Sequence, residues 1–264
     1  MWPSAVVLSS WLLANPQILF NKQIIELGAG CGLTGLVASR IVAEYENKQR
    51  RNVHNSALHC QHGKDEEKKD DEVVDNQVAN KEANQVIMTD FNTKVLKNLD
   101  RNITLNGLEH VAKTMHLDFY AQQGMNRQGG WTDHEFLDNE TSLNDYSGVD
   151  QSNHRSPVDL IIAADVICKP SDSVAASKTI YDVLKPGGEA IIVSANTKHR
   201  FGVDIFEKEC ISLGLDVHVT DVGALCDGRL ITRTELCEDA CGIRQTSGYV
   251  DGMSLTMFRV NKPM

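Results

Sequence analysis

The sequence predicts an α/β fold in which strands and helices alternate to build a doubly wound sheet of seven strands, and three observations carry that prediction. Short apolar runs ending on an acid recur along the chain, each followed at once by a helical pattern and joined by short connectors. The run Val158-Asp159-Leu160-Ile161-Ile162-Ala163-Ala164 is nearly continuous in apolar character, as expected of a central strand covered on both faces. The first strand enters its helix through Gly28, Gly30 and Gly32, three glycines at alternate positions.

Each element follows from its local pattern. Pro3 to Leu13 places Ala5, Leu8 and Leu12 at helical spacing, with proline suited to a first turn. A strand over Gln23–Leu27 precedes the glycines, and a helix is expected from Leu33 to Ala43. Gln85-Val86-Ile87-Met88-Thr89-Asp90 is the second strand, followed by a helix from Thr93 to Leu105. A third strand is expected near Val111–Leu117 and the fourth at Val158–Asp165. A helix over Ser173–Leu184 is expected to stop at Lys185-Pro186-Gly187-Gly188, where lysine suits the helix C-terminus and proline with glycine ends it. Glu189–Ser194, Leu215–Val219 and Leu255–Val260 are the remaining strands, with an amphipathic helix over Phe201–Leu213 closed by Gly214.

With 264 residues and 41% hydrophobic content, the chain can form one core but is slightly long for a single α/β domain. One domain over residues 1–264 with two insertions resolves the excess. From Glu44 to Asn84 the chain is polar, and Lys64–Asp75 holds seven acids against three bases. Such a stretch cannot bury enough surface to order itself, so 44–84 reads as a disordered insertion and the polar stretch 124–156 as another. The net charge of −10 disfavours a nucleic acid partner. The seven cysteines are scattered and odd in number, which fits reduced thiols rather than a disulfide framework. No run has the length of a membrane span, and a cytoplasmic location, with the nucleus as second choice, is the expectation. His54, His59, Cys60 and His62 match no zinc spacing, so no metal site is expected.

In a doubly wound sheet the ligand binds at the C-terminal ends of the strands. The loop Gly28-Ala29-Gly30-Cys31-Gly32 is therefore the candidate cofactor loop, because alternate glycines let a ligand reach the main chain without meeting a Cβ. Gly30 to Gly35 also fits the dinucleotide pattern G-x-G-x-x-G, which alone is weak. Glu26 tips the balance: a carboxylate two residues ahead of the glycines is a poor neighbour for a pyrophosphate. It suits the sulfonium and ammonium of S-adenosylmethionine (SAM), which has no phosphate. Asp90, ending the second strand, can accept hydrogen bonds from both hydroxyls of a ribose. Asp118 and Phe119, after the third strand, could hold an adenine by its amino group and its face, while Phe119 equally suits the core.

The ordered set Trp2-Pro3-Ser4-Ala5, Glu26 to Leu33, Thr89-Asp90, Asn98-Leu99 with Asn102, Leu117-Asp118-Phe119 and Ala163-Ala164-Asp165-Val166-Ile167 resembles the methyltransferase-like protein-lysine methyltransferases. These are seven-β-strand, SAM-dependent enzymes with a Rossmann-like fold. The resemblance implies that Trp2, the backbone of Gly28, Ala29 and Gly30, Asp90, Phe119 and Ala164 line a SAM pocket. It sets Asp165 toward the methyl acceptor as the catalytic residue. Two departures stand out. Phe119 replaces a tryptophan, and Cys168 stands where the family ends its acid-x-x-aromatic motif, removing a π-face worth roughly 0.5–2 kcal/mol to a cation. The family also carries more chain ahead of its tryptophan, so the sequence reads as shortened there or as a minimal domain.

The implied chemistry is in-line transfer of a methyl group to a protein side chain, lysine first, with Asp165 orienting the amine or helping it to lose its proton. A small-molecule acceptor and a non-catalytic interaction module are the alternatives, because the acceptor-facing residues are the least typical.

Overall fold

The computed structural model describes residues 2–61, 85–120, 157–196, 198, 200–222 and 254–264. Its elements run α1 (Pro3–Ala14), a short 3-10 turn (Pro16–Leu19), β1 (Gln23–Leu27), α2 (Leu33–Gln61), β2 (Gln85–Asp90), α3 (Thr93–Leu105), β3 (Ala112–His116), β4 (Val158–Ala164), α4 (Pro170–Val183), β5 (Leu184–Ala195), α5 (Val203–Ser212), β6 (Asp216–Asp221) and β7 (Leu255–Asn261). The seven strands form one sheet in the order β3-β2-β1-β4-β5-β7-β6. Strands β1 to β5 are parallel, and β7 runs antiparallel between β5 and β6.

Alternation along the central strands explains why helices are needed on both faces. Ile24, Leu160, Ile162 and Ile191 point to one side and pack with Val7, Leu8 and Leu12 of α1, Ala38 and Val42 of α2, and Leu96 and Leu99 of α3. Ile25, Leu27, Ile161, Ala163 and Ile192 point to the other and meet Ala176 and Ile180 of α4 and Phe206 and Cys210 of α5. Two cores thus sandwich the sheet, with strand side chains alternating between them. Phe206 meets Phe258 edge to face, with ring centroids 5.2 Å apart.

Local signals set several boundaries. Asn92 caps α3, its side chain accepting the Lys94 N–H at 2.9 Å, so the helix begins immediately after β2. The bounds of β1, β2 and α3 agree with the sequence expectation.

Two expectations are corrected. Residues 44–61, read as the start of a disordered insertion, continue α2. The segment is rich in strong helix formers, and Glu46 and Arg50 pair one turn apart at 3.6 Å. Tyr45 stacks on Phe20 at 3.9 Å between centroids, fixing the middle of the helix to the turn after α1. Residues 62–84 of that insertion, and the second insertion at 124–156, lie outside the described residues. The helix before Lys185–Gly188 ends as expected, at Val183, but the strand expected from Glu189 starts earlier, at Leu184 opposite Val158, and takes in that stretch. Gly187 N–H donates to Lys262 O and Lys262 N–H to Gly188 O, at 2.8 and 3.0 Å, so the chain end pairs with this stretch and extends the strand.

Candidate cofactor site

Parallel alignment brings the C-terminal ends of β2, β1 and β4 side by side, and the loops leaving them form one edge of the sheet. Thr89 ties two of these ends together: its hydroxyl donates to Glu26 O and its carbonyl accepts Ala29 N–H, both at 2.7 Å. The glycine loop then turns with Gly30 at φ +55°, a left-handed conformation in which a side chain is strained. Nothing lies within 4 Å of where a Cβ on Gly30 would sit. The loop is therefore open at the residue that has the least need of packing room. Asn102 on α3 holds its next residue, the Nδ2 donating to Cys31 O at 3.1 Å.

Asp90 stands beside this opening and is almost wholly buried, at 7% exposure. Its Oδ2 accepts Gly30 N–H at 3.1 Å and its Oδ1 accepts Asn92 N–H at 2.9 Å. A carboxylate offers about four acceptor positions, so two backbone donors leave capacity for further hydroxyls. Asp90 thus both braces the loop and borders the space in front of it.

Glu26 has a structural partner inside the loop. Its side chain is buried, and its Oε2 accepts Gly35 N–H at the start of α2, at 3.1 Å. Burial pushes its carboxyl up to about 8, against the opposing effect of that hydrogen bond, so near neutral pH the group holds its proton. Its observed partner is the loop-to-helix junction. The carboxyl group thus braces the loop from inside.

Asp118 and Phe119 follow β3. Asp118 Oδ1 accepts Tyr120 N–H at 3.0 Å, forming a tight turn, and Phe119 is half-buried against the core beneath α4. Tyr120 itself is buried, and its hydroxyl reaches across to Asp172 and, at 3.0 Å, to Ser171. Asp172 Oδ2 in turn accepts the N–H groups of Cys168 and Lys169, at 2.9 and 3.0 Å. One carboxylate therefore shapes the loop after β4 and joins it to the loop after β3.

At the end of β4, half-buried Ala164 packs against the core under α1, and Asp165 adopts φ +59° while its N–H donates to Val193 O at 2.8 Å. The Asp165 side chain is 3% exposed and is gripped by Arg200, whose Nε donates to Oδ1 at 3.0 Å while Nη2 pairs with Oδ2. The carboxylate expected to face a methyl acceptor is engaged in a bidentate ion pair. Arg200 also lies over the ring of Trp2, its guanidinium carbon 5.1 Å from the centroid. Sequence reasoning missed Arg200, because no motif marks a residue 35 positions after its partner. Cys168 is exposed beside this pair, and burial of its thiol group still pushes it above the ordinary range.

Comparison with known proteins accords with this architecture. Residues 1–53 match the family model described as lysine methyltransferase. An uncharacterized protein of Dictyostelium discoideum is 25% identical over 215 residues, covering 79% of this chain and 47% of that protein. The human electron transfer flavoprotein beta subunit lysine methyltransferase is 43% identical over 47 residues, covering 16% of this chain and 18% of that one. The chain thus spans about half the length of the first relative, and the lysine methyltransferase match is confined to a short segment. Among solved structures, the CcbJ methyltransferase of Streptomyces caelestis superposes with a TM-score of 0.51 at 7% identity, covering 99% of this chain and 90% of that one.

The fold is that of the Rossmann-like, SAM-dependent methyltransferases. Within it, the match over the first 53 residues upholds the resemblance to the protein-lysine methyltransferase group. The resemblance implies SAM as methyl donor. The residues present fit it: the loop is open at Gly30, a buried carboxylate with spare acceptor capacity borders the opening, and no phosphate-matching cation is among the loop's residues.

Proposed function

We propose that this chain is a SAM-dependent methyltransferase acting on a protein side chain, lysine first. The observation that carries the reading is the open cradle at Gly30, braced by the buried Asp90 at the shared edge of β1 and β2. SAM supplies an electrophilic methyl group on a sulfonium. The chain's own part is to bind and orient. The backbone of Gly28 to Gly30 would admit the cofactor closely, Asp90 would take ribose hydroxyls in its remaining acceptor positions, and Phe119 and Trp2 would offer aromatic faces. Asp118 fixes the turn that carries Phe119. Because no covalent enzyme intermediate is needed, the gain in rate rests on proximity and alignment.

Asp165 carries less of the proton chemistry in this reading than its position first suggests. Both of its carboxylate oxygens are engaged by the Arg200 guanidinium, so the acceptor amine loses its proton elsewhere or after the pair opens. The same pair, with Cys168 in the place of an aromatic, favours a second reading in which the module binds SAM without transferring its methyl group. Cytosol, with the nucleus as second choice, is the proposed compartment, supported by the free thiols of Cys31, Cys168 and Cys210.

Incubation with tritiated SAM and cell extract tests both readings. Label entering a protein band with the wild-type chain and absent with Asp90→Ala supports the transferase. Label that enters only dialysable compounds turns the acceptor into a small molecule, and SAM binding with no labelled product selects the non-catalytic module.

A further inference from the structure

We propose that Arg200 is a positioning residue of the cofactor site, a clasp that fixes Trp2 ahead of α1 to Asp165 at the end of β4. The inference rests on the reading of this edge of the sheet as a SAM site. Three facts define the clasp. The Asp165 side chain is buried and its backbone is held in a left-handed turn by the bond to Val193, so the direction of its carboxylate is set by the sheet. The Arg200 side chain is itself 18% exposed and meets both carboxylate oxygens, one of them at 3.0 Å from Nε. The guanidinium then serves as the platform for Trp2, a residue 48% exposed whose ring stands within cation–π range, its centroid 5.1 Å from the guanidinium carbon.

The chemistry of the parts argues for arginine in particular. A buried carboxylate must be paired, and a planar fork pairs it at two points while leaving its flat face for an aromatic ring. An ammonium can supply the charge but not the second contact or the face. Asp165 in turn keeps the guanidinium protonated beyond its ordinary value. The sheet therefore sets Asp165, Asp165 sets Arg200, and Arg200 sets Trp2. Three segments distant in sequence, at residues 2, 165 and 200, meet through one guanidinium.

The test is calorimetric titration of SAM into the wild-type chain, Arg200→Lys, Trp2→Ala and the double variant Trp2→Ala/Arg200→Lys, with the melting temperature of each measured without SAM. We expect Arg200→Lys and Trp2→Ala each to weaken binding about tenfold, about 1.4 kcal/mol, with the double variant no weaker than Trp2→Ala alone. Melting temperatures without SAM stay within a few degrees of one another. Arg200→Gln/Asp165→Asn, which leaves no buried charge unpaired, is expected to fold and to show the same loss of affinity. Wild-type affinity in Arg200→Lys, or losses that multiply in the double variant, would overturn the clasp while leaving the cofactor reading intact. A wild-type chain that fails to bind SAM overturns both.

Discussion

The carboxyl group of Glu26, on the first strand, accepts the backbone N–H of Gly35 on the helix that follows, at 3.1 Å. Strand, loop and helix are thereby closed into one unit around a titratable group with almost no exposure. Burial raises that group from its ordinary 4.5 to about 8 in the fold. The folded chain thus holds a proton that the unfolded chain releases near 4.5. The contribution to stability is whole below that value and is lost as pH rises through about 8, with a slope of up to about 1.4 kcal/mol per pH unit between the two. Urea midpoints measured from pH 5 to 8 should fall less steeply in Glu26→Gln than in the wild type. Equal slopes would show that Glu26 is ionised in the fold.

Gly30 and Gly32 separate backbone strain from cofactor access. Both have positive φ, at +55° and +84°, but a methyl group on Gly30 enters open space while one on Gly32 runs into Leu99. Gly30→Ala should cost about 1–2 kcal/mol of stability, the strain of a left-handed alanine, and weaken SAM binding at least tenfold. Gly32→Ala should cost more in stability, because overpacking adds about 1–3 kcal/mol to the strain. Urea unfolding with calorimetry distinguishes them. Undiminished SAM affinity in Gly30→Ala would remove the cradle from the site.

Asp172 gathers three donors, the hydroxyl of Tyr120 and the N–H groups of Cys168 and Lys169. Replacing it with alanine should destabilise the fold by about 1–3 kcal/mol, since it strips a capping carboxylate and its partners at once. Tyr120→Phe, which removes one donor and leaves the others, should cost about 1 kcal/mol. Chemical denaturation of the two variants checks the order, and a Tyr120→Phe loss equal to that of Asp172→Ala would place the energy in the tyrosine contact alone.

What the sequence disclosed, and what it hid, divides along the reach of the interactions. The bounds of β1, β2 and α3 were legible because their signals are local: apolar runs, an acid at a strand end, and Asn92 as a cap bonded two residues on. The glycine loop and Asp90 were legible for the same reason, and both stand at one edge of the sheet. The extension of α2 past Ala43 was hidden, because its sequence shows no apolar stripe, residues 44–52 are largely exposed, and the segment is held by helix formers and a stacked Tyr45. Lys185–Gly188 was legible as the end of a helix, which stops at Val183, but its membership of a strand was not, since that depends on pairing with Lys262, far along the chain. Arg200 and the inward direction of Glu26 were hidden most deeply, since both depend on where tertiary packing places a partner.

The most direct test of the account is the shift in melting temperature produced by SAM and, separately, by NADH in the wild-type chain and in Asp90→Ala. A ligand that binds only the folded state raises the transition in proportion to the logarithm of its concentration over its dissociation constant. The account predicts a rise with SAM in the wild type, its loss in Asp90→Ala, and no rise with NADH. A rise with NADH and none with SAM, or a SAM response that survives Asp90→Ala in full, would contradict it.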